Sequence, residues 1–205
     1  MKTTRSSNSS IEAAIQSRIR KAGPGAVFTP NRFVDLGSRA AVDQALSRQA
    51  ARGEVRRLAR GLYDRPRTHP LLGTLHPSAE AIAQAVAGKD RLRLQPSGAY
   101  AANLLGLSEQ VPMKVVFLTD GPSRTVRVGK QDIILKRTTP RNMATAGKVS
   151  GLVIQALRYM GQANVDEKAI RILRKRLRPK DKACLVADAQ LAPAWIAAVM
   201  RQIAA

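Results

Sequence analysis

Apolar residues recur at helical spacing over the first third of the chain. Ile11, Ile15 and Ile19 stand four apart, which predicts a helix from Ile11 to Ala22 capped by Ser9 or Ser10. The polar residues 1–10 ahead of it read as a flexible tail. Gly23-Pro24-Gly25 stops the helix, and Ala26-Val27-Phe28 reads as a short extended piece. Thr29 before Pro30 suits the cap and first turn of a short helix that ends at Gly37. Ser38 caps a third helix, Arg39 to Arg52, with Val42 and Leu46 facing inward and Gly53 as its stop. The pattern then turns to strands: Glu54 to Leu58, a turn at Ala59-Arg60-Gly61, and Leu62 to Asp64. Pro66 and Pro70 are expected to close this unit at residue 70.

Residues 71–140 mix the two periods. A helix is predicted from Ala79 to Ala87, a short strand at Leu92 to Leu94, and a small-residue helix from Ser97 to Leu105. Strands follow at Lys114 to Thr119, Arg124 to Val128 and Asp132 to Arg137, with turns at Asp120-Gly121-Pro122 and Gly129-Lys130. Residues 141–205 return to helix, over Met143 to Met160, Asp166 to Leu177, Lys180 to Ala189 and Pro193 to Ile203. The expected fold class is α+β: an N-terminal domain over 11–70, then a C-terminal domain over 71–205 with an α/β middle (71–140) and a helical end (141–205).

Helix, short helix, helix and hairpin is the order of a winged helix-turn-helix, with its turn at Leu36-Gly37-Ser38. In that arrangement the third helix enters the major groove of DNA and its first turns reach base edges. Ser38, Arg39, Asp43 and Gln44 fall in those turns, and Ser47 and Arg48 one turn later. Arg39 and Gln44 are the side-chain types that read guanine and adenine edges. Asp43 either orients an arginine or forms a helical ion pair. On the hairpin, Leu58, Leu62 and Tyr63 would hold the strands to the domain, while Arg56, Arg57 and Arg60 project toward phosphates or a minor groove.

Charge strengthens the reading. The 205 residues carry 35 Lys and Arg against 14 acids, a net charge of +21, so a polyanionic partner is expected. The excess is +9 over residues 1–75, +4 over 76–140 and +8 over 141–205, which makes two basic blocks. The second block centres on RILRKRLRPKDK. There Arg171, Lys175 and Arg178 can share one helical face, as can Arg174 and Arg178, as a second phosphate-contacting surface, a docking face for an acidic partner, or a solvated face. No apolar run approaches the roughly 20 residues of a membrane helix, and the polar N-terminus lacks the apolar core of a signal peptide. One cysteine, Cys184, rules out an internal disulfide and a cysteine-rich zinc site. The expected location is the cytoplasm.

The segment GAVFTPNRFVDLGSRAAVDQALSRQAARGEVRRLARGLYDRP resembles the N-terminal winged helix of the AbiEi family, the antitoxins of type IV toxin–antitoxin systems. The features that carry the resemblance are Val27-Phe28, Leu36-Gly37-Ser38, Ala45-Leu46-Ser47-Arg48, Gly53, and Arg57-Leu58-Ala59-Arg60-Gly61-Leu62-Tyr63. Pro96-Ser97-Gly98-Ala99-Tyr100-Ala101-Ala102-Asn103-Leu104-Leu105-Gly106-Leu107 and the run Val115 to Gly121 are similar to segments that follow in that family. The resemblance covers most of residues 11–140. It implies a non-enzymatic protein whose winged helix binds inverted repeats in double-stranded DNA upstream of its own operon and represses it. It also implies that the C-terminal region counteracts a toxin of nucleotidyltransferase fold without a stable complex.

Catalysis finds little support in the residues themselves. His69 and His76 lie in loops near prolines, and no paired carboxylates stand at a spacing that would hold two magnesium ions. Ser97 and Ser123 lack a His and acid constellation. Gly121-Pro122-Ser123-Arg124 lacks the ending of a phosphate loop. No cofactor or metal is expected. The alternatives to the antitoxin are a stand-alone winged-helix regulator and, from another class, an RNA-processing enzyme.

Overall fold

The structure, a computed structural model, describes residues 3–88 and 92–205, with side chains from Ser10 onward in the first helix. The fold is α+β, and it divides into two compact units. One comprises residues 1–91 with 126–129, and the other 92–125 with 130–205. The first unit therefore runs well past residue 70, where the sequence placed the boundary.

In the first unit, α1 (Thr3–Ala22) leads to β1 (Val27–Phe28), a single 3-10 turn (Pro30–Phe33), α2 (Arg39–Ala51), β2 (Arg56–Ala59) and β3 (Leu62–Asp64). The strands form an antiparallel sheet in the order β1-β3-β2, with Phe28 opposite Tyr63 and Tyr63 opposite Arg57. Burial explains the order. Ile15 and Ile19 of α1 and Val42 and Leu46 of α2 close over Phe28, Phe33, Val55 and Tyr63. The Phe28 ring meets Phe33 edge-on at 5.4 Å and stacks on Tyr63 at 6.4 Å. Gly37 lets α1 approach the turn before α2, because a Cβ there would lie 2.7 Å from Ile11 Cδ1. Gly61 adopts φ +69° and turns β2 into β3.

Three expectations for this unit need correction. The first helix begins at Thr3, so residues 3–10 continue it instead of forming a flexible tail. That stretch holds no Gly or Pro, and its Ser, Thr and Asn residues cost a helix only a few tenths of a kcal/mol each. The short second helix stops at Phe33, shorter than expected, as one 3-10 turn. After Pro66 the chain does not leave the unit. It builds a second hairpin, β4 (Arg67–His69) and β5 (Gly73–Leu75), then α3 (Ala79–Ala87), which buries Ala79, Ile82, Ala83 and Ala87.

The second unit starts with β6 (Leu94–Ser97), later than the expected strand at 92–94, and α4 (Gly98–Leu104). Strands β7 (Lys114–Thr119) and β9 (Gln131–Arg137) join β6 in a sheet of order β6-β7-β9, in which β6 and β7 are antiparallel and β7 and β9 parallel; β8 (Arg124–Val128) comes between them in the chain, with residues 126–128 in the first unit. Helices α5 (Val149–Met160), α6 (Glu167–Arg176), α7 (Pro179–Asp188) and α8 (Ala194–Ala204) follow. Middle and end share one core. Ala101 and Leu105 of α4 pack with Val153 and Leu157 of α5, Leu173 of α6, Leu185 of α7, and Ile196 and Met200 of α8. Helix α5 begins six residues later than expected. The backbone turns through residues 140–147 with Gly147 at φ +79°, a conformation that a helix cannot contain.

Candidate nucleic-acid interface

Helix α2 is built to present one face. Val42, Ala45, Leu46 and Gln49 are buried. The opposite side carries Ala40, Gln44, Ser47 and Ala51, all exposed and spaced four, three and four residues apart along one stripe. Two of these are alanines and one a serine, so the helix backbone can come close to a partner along this line, with Gln44 as the long polar side chain. The helix start is fixed by Ser38, whose Oγ accepts the Ala41 N–H at 3.3 Å. That hydroxyl serves as the cap.

Arg39 flanks the stripe and is held in place. Its Nε donates to Asp43 Oδ2 at 2.9 Å and its Nη1 to Asn31 Oδ1 at 2.8 Å. Asp43 thus forms the i,i+4 pair and orients the guanidinium, of whose five N–H donors three lie outside these two bonds. Asn31, from the 3-10 turn, was not picked out in the sequence, since nothing in its spacing ties it to Arg39. The alanine stripe was legible there, as the polar complement of the Val42 and Leu46 face.

Arg48, on the other flank, does not stand free. Its side chain pairs with Glu12 of α1 at 2.8 Å, and Arg52 pairs with the same carboxylate. The hydrogen bond from Arg52, opposed by burial and reinforced by Arg48, holds the Glu12 carboxyl below its ordinary range.

The hairpin arginines divide. Arg56 lies half-buried and grips Asp64 across the strands, with Nε to Oδ1 at 3.1 Å and Nη2 to Oδ2 at 2.6 Å; Nη2 also donates to the Leu75 carbonyl at 2.9 Å. Asp64 is 1% exposed. Arg56 therefore ties β2, β3 and β5 together rather than projecting. Its alternation along β2 was readable, but its acceptor eight residues later was not. Arg57 and Arg60 are exposed, and their side chains make no hydrogen bond or ion pair among the described residues. They are the two basic side chains of this hairpin left to meet a partner.

The second basic block is broken by the backbone. Helix α6 ends at Arg176, Leu177 is extended, and Arg178 caps α7. Pro179 disfavours helix at the residue before it. Arg178 thus shares no helical face with Arg171 and Lys175 and bonds Asp181 at 3.0 Å. Arg174 donates to the Gln202 carbonyl at 2.7 Å. Arg171 and Lys175 remain exposed one turn apart on α6.

One polar cluster in the second unit, around the buried Asp188, was not anticipated. Asp188 at the end of α7 accepts from Ser150 Oγ at 2.5 Å and from Lys148 Nζ at 3.1 Å, with Cys184 Sγ at 3.5 Å. Burial pushes the Asp188 carboxyl up, and hydrogen bonds from Ser150, Lys148 and Cys184 outweigh it and hold it below the ordinary range. The cluster joins the start of α5 to α7, with Ser150 and Asp188 buried and Lys148 reaching in from the surface.

Among the described residues, no three His, Cys, Asp or Glu side chains gather where they could hold a metal ion. No helix among them is long and apolar enough to cross a membrane. The profile of a family described as of unknown function (DUF6088) matches residues 14–185, a span that reaches through both units. No curated protein and no solved structure matches the chain.

Proposed function

This chain belongs to a family of unknown function (DUF6088), and we propose that it is a DNA-binding antitoxin whose first unit is a winged helix-turn-helix. The observation that carries the reading is the outer face of α2. Its small residues, with Gln44 among them and Arg39 clamped at its edge, suit a helix lying in a major groove. Arg57 and Arg60, exposed on the β2–β3 hairpin without acceptors among the described residues, suit a wing on the phosphates. A net charge of +21 supplies the long-range attraction.

In this mechanism binding does the work and no bond is made or broken. Neutralising phosphates releases counterions, which supplies affinity without regard to sequence. Gln44 and Arg39 then select the base pairs they face. Bound upstream of its own operon, the protein would block transcription. The second unit would counteract a toxin of nucleotidyltransferase fold, an expectation that rests on the resemblance of residues 11–140 to the AbiEi family.

Fluorescence anisotropy on the DNA upstream of the gene and on a shuffled duplex tests the DNA reading. A preference of about a hundredfold or more that persists at physiological salt supports it; specific binders typically reach about a thousandfold or more over non-specific DNA. Equal binding that vanishes with salt refutes it. Co-expression of the full-length chain with the neighbouring toxin gene tests the antitoxin role. Rescue by a Gln44→Ala, Arg57→Ala, Arg60→Ala variant that no longer binds DNA would support it. Failure of the wild-type chain to rescue would leave a stand-alone regulator.

A further inference from the structure

The hairpin β4–β5 carries its apolar residues outward. Its loop is Pro70-Leu71-Leu72, between paired His69 and Gly73, and Leu71 is 88% exposed and Leu72 72%. All of Arg67 to Thr74 is exposed as well, so neither face of the ribbon is covered by the described residues of its unit. The ribbon is nonetheless held firmly at its root. Arg56 Nη2 binds the Leu75 carbonyl at 2.9 Å, the Gly25 N–H binds the Arg65 carbonyl at 2.7 Å, and the Arg65 N–H binds the Ala26 carbonyl at 2.9 Å. The tip is shaped too. His69 Nδ1 accepts the Leu71 N–H at 3.2 Å, and Gly73 turns the chain at φ +68°.

We propose that this tip is an apolar wedge that enters the minor groove of duplex DNA and opens a base step, bending the duplex. The inference rests on the DNA-binding reading of the same unit. Three observations select DNA as the occupant. Residues 65–79 carry Arg65 and Arg67 and no acid, and the carboxylate just before them, Asp64, is buried against Arg56. A ribbon rises about 3.4 Å per residue, so the four steps from Arg67 to Leu71 reach roughly 14 Å at most, more than the minor groove's depth of about 7.5 Å. A second copy or another protein would need about 800 Å² of surface from each partner, far more than three tip side chains offer. A proline and two leucines at the end of a basic arm are the residue types that wedge between base pairs.

The test uses the full-length chain and its upstream DNA, labelled at both ends for energy transfer, with wild type and a Leu71→Ser, Leu72→Ser variant. Both leucines are exposed, so folding should be unaffected, and circular dichroism checks this. The expected result is a bent duplex with the wild type, in the range of about 20–90°, and a straight one with the variant, which still binds. Wild-type binding without bending, or equal bending by the variant, would overturn the wedge and leave the DNA-binding reading standing. No binding by the wild type would overturn both. A change of oligomeric state in the free variant on sedimentation, or its loss of binding to anionic phosphatidylserine vesicles, would assign the tip to a second copy or a lipid surface and overturn the wedge.

Discussion

Arg56 and Arg57 are neighbours on one strand, and replacing each by alanine should give opposite phenotypes. Arg56→Ala leaves Asp64, 1% exposed, with its charge and no cation. Breaking a buried pair from one side costs about 3–5 kcal/mol. The Arg56 side chain is itself 28% exposed, so water reaches part of the vacated site and the low end, about 3 kcal/mol, applies. For a unit of this size each kcal/mol moves the melting temperature by about 4–8 °C, so the first unit should melt roughly 12–24 °C lower. Arg57→Ala removes an exposed side chain with no partner among the described residues and should change stability by less than about 0.5 kcal/mol. It should instead weaken binding to any duplex and reduce the salt slope by about 0.9. A double variant, Arg56→Met with Asp64→Leu, removes both charges and should recover most of the lost stability. The assay is thermal unfolding by circular dichroism beside anisotropy at a temperature where every variant is folded. An Arg56→Ala protein that melts with the wild type and loses DNA affinity as Arg57→Ala does would refute the division.

Gln44→Ala should cost about 1–3 kcal/mol on the preferred site and little on random DNA, since base contacts specify while phosphate contacts position; anisotropy on both duplexes checks it. Glu12→Gln should release Arg48 and Arg52 from their shared carboxylate and steepen the salt dependence of DNA binding by one to two phosphates' worth, about 0.9 each. Gly151→Ala should destabilise the second unit by about 3 kcal/mol, because a methyl there would overlap the Thr145 carbonyl and Gln95 Oε1; calorimetry reads it. Because the carboxyl of folded Asp188 is held below its ordinary range, its contribution is present above about pH 4, the unfolded value, and is lost as pH falls through the lower folded value. The melting temperature of Asp188→Asn should therefore fall less steeply in acid than that of the wild type.

The spacing of apolar residues carried most of the fold. Ile15, Ile19, Val42 and Leu46 marked two helix faces, and all four are buried. The helices of the second unit were placed to within a residue or two, except α5, whose start depends on the turns through 140–147. The hairpin β4–β5 stayed hidden because its outward leucines break the alternation that marks a strand, and Pro70 reads as a terminator until Gly73 is seen to turn the chain. Among the candidate site residues, type and exposure were legible, but pairing was not. Arg48 with Glu12 joins residues 36 apart in the chain, and Arg56 with Leu75 joins residues 19 apart. No local pattern records such a partner, so the sequence assigned those arginines to an outside ligand that the fold itself replaces.

Trp195 and Cys184 are each the only residue of their kind in the chain, and both sit in the second unit, Trp195 against its core and Cys184 in the α5–α7 seam. The first unit has Phe28, Phe33 and the single tyrosine Tyr63 in its interior. Indole emission and thiol alkylation therefore follow the opening of the second unit alone, and a chain whose first unit had melted would still look folded to both.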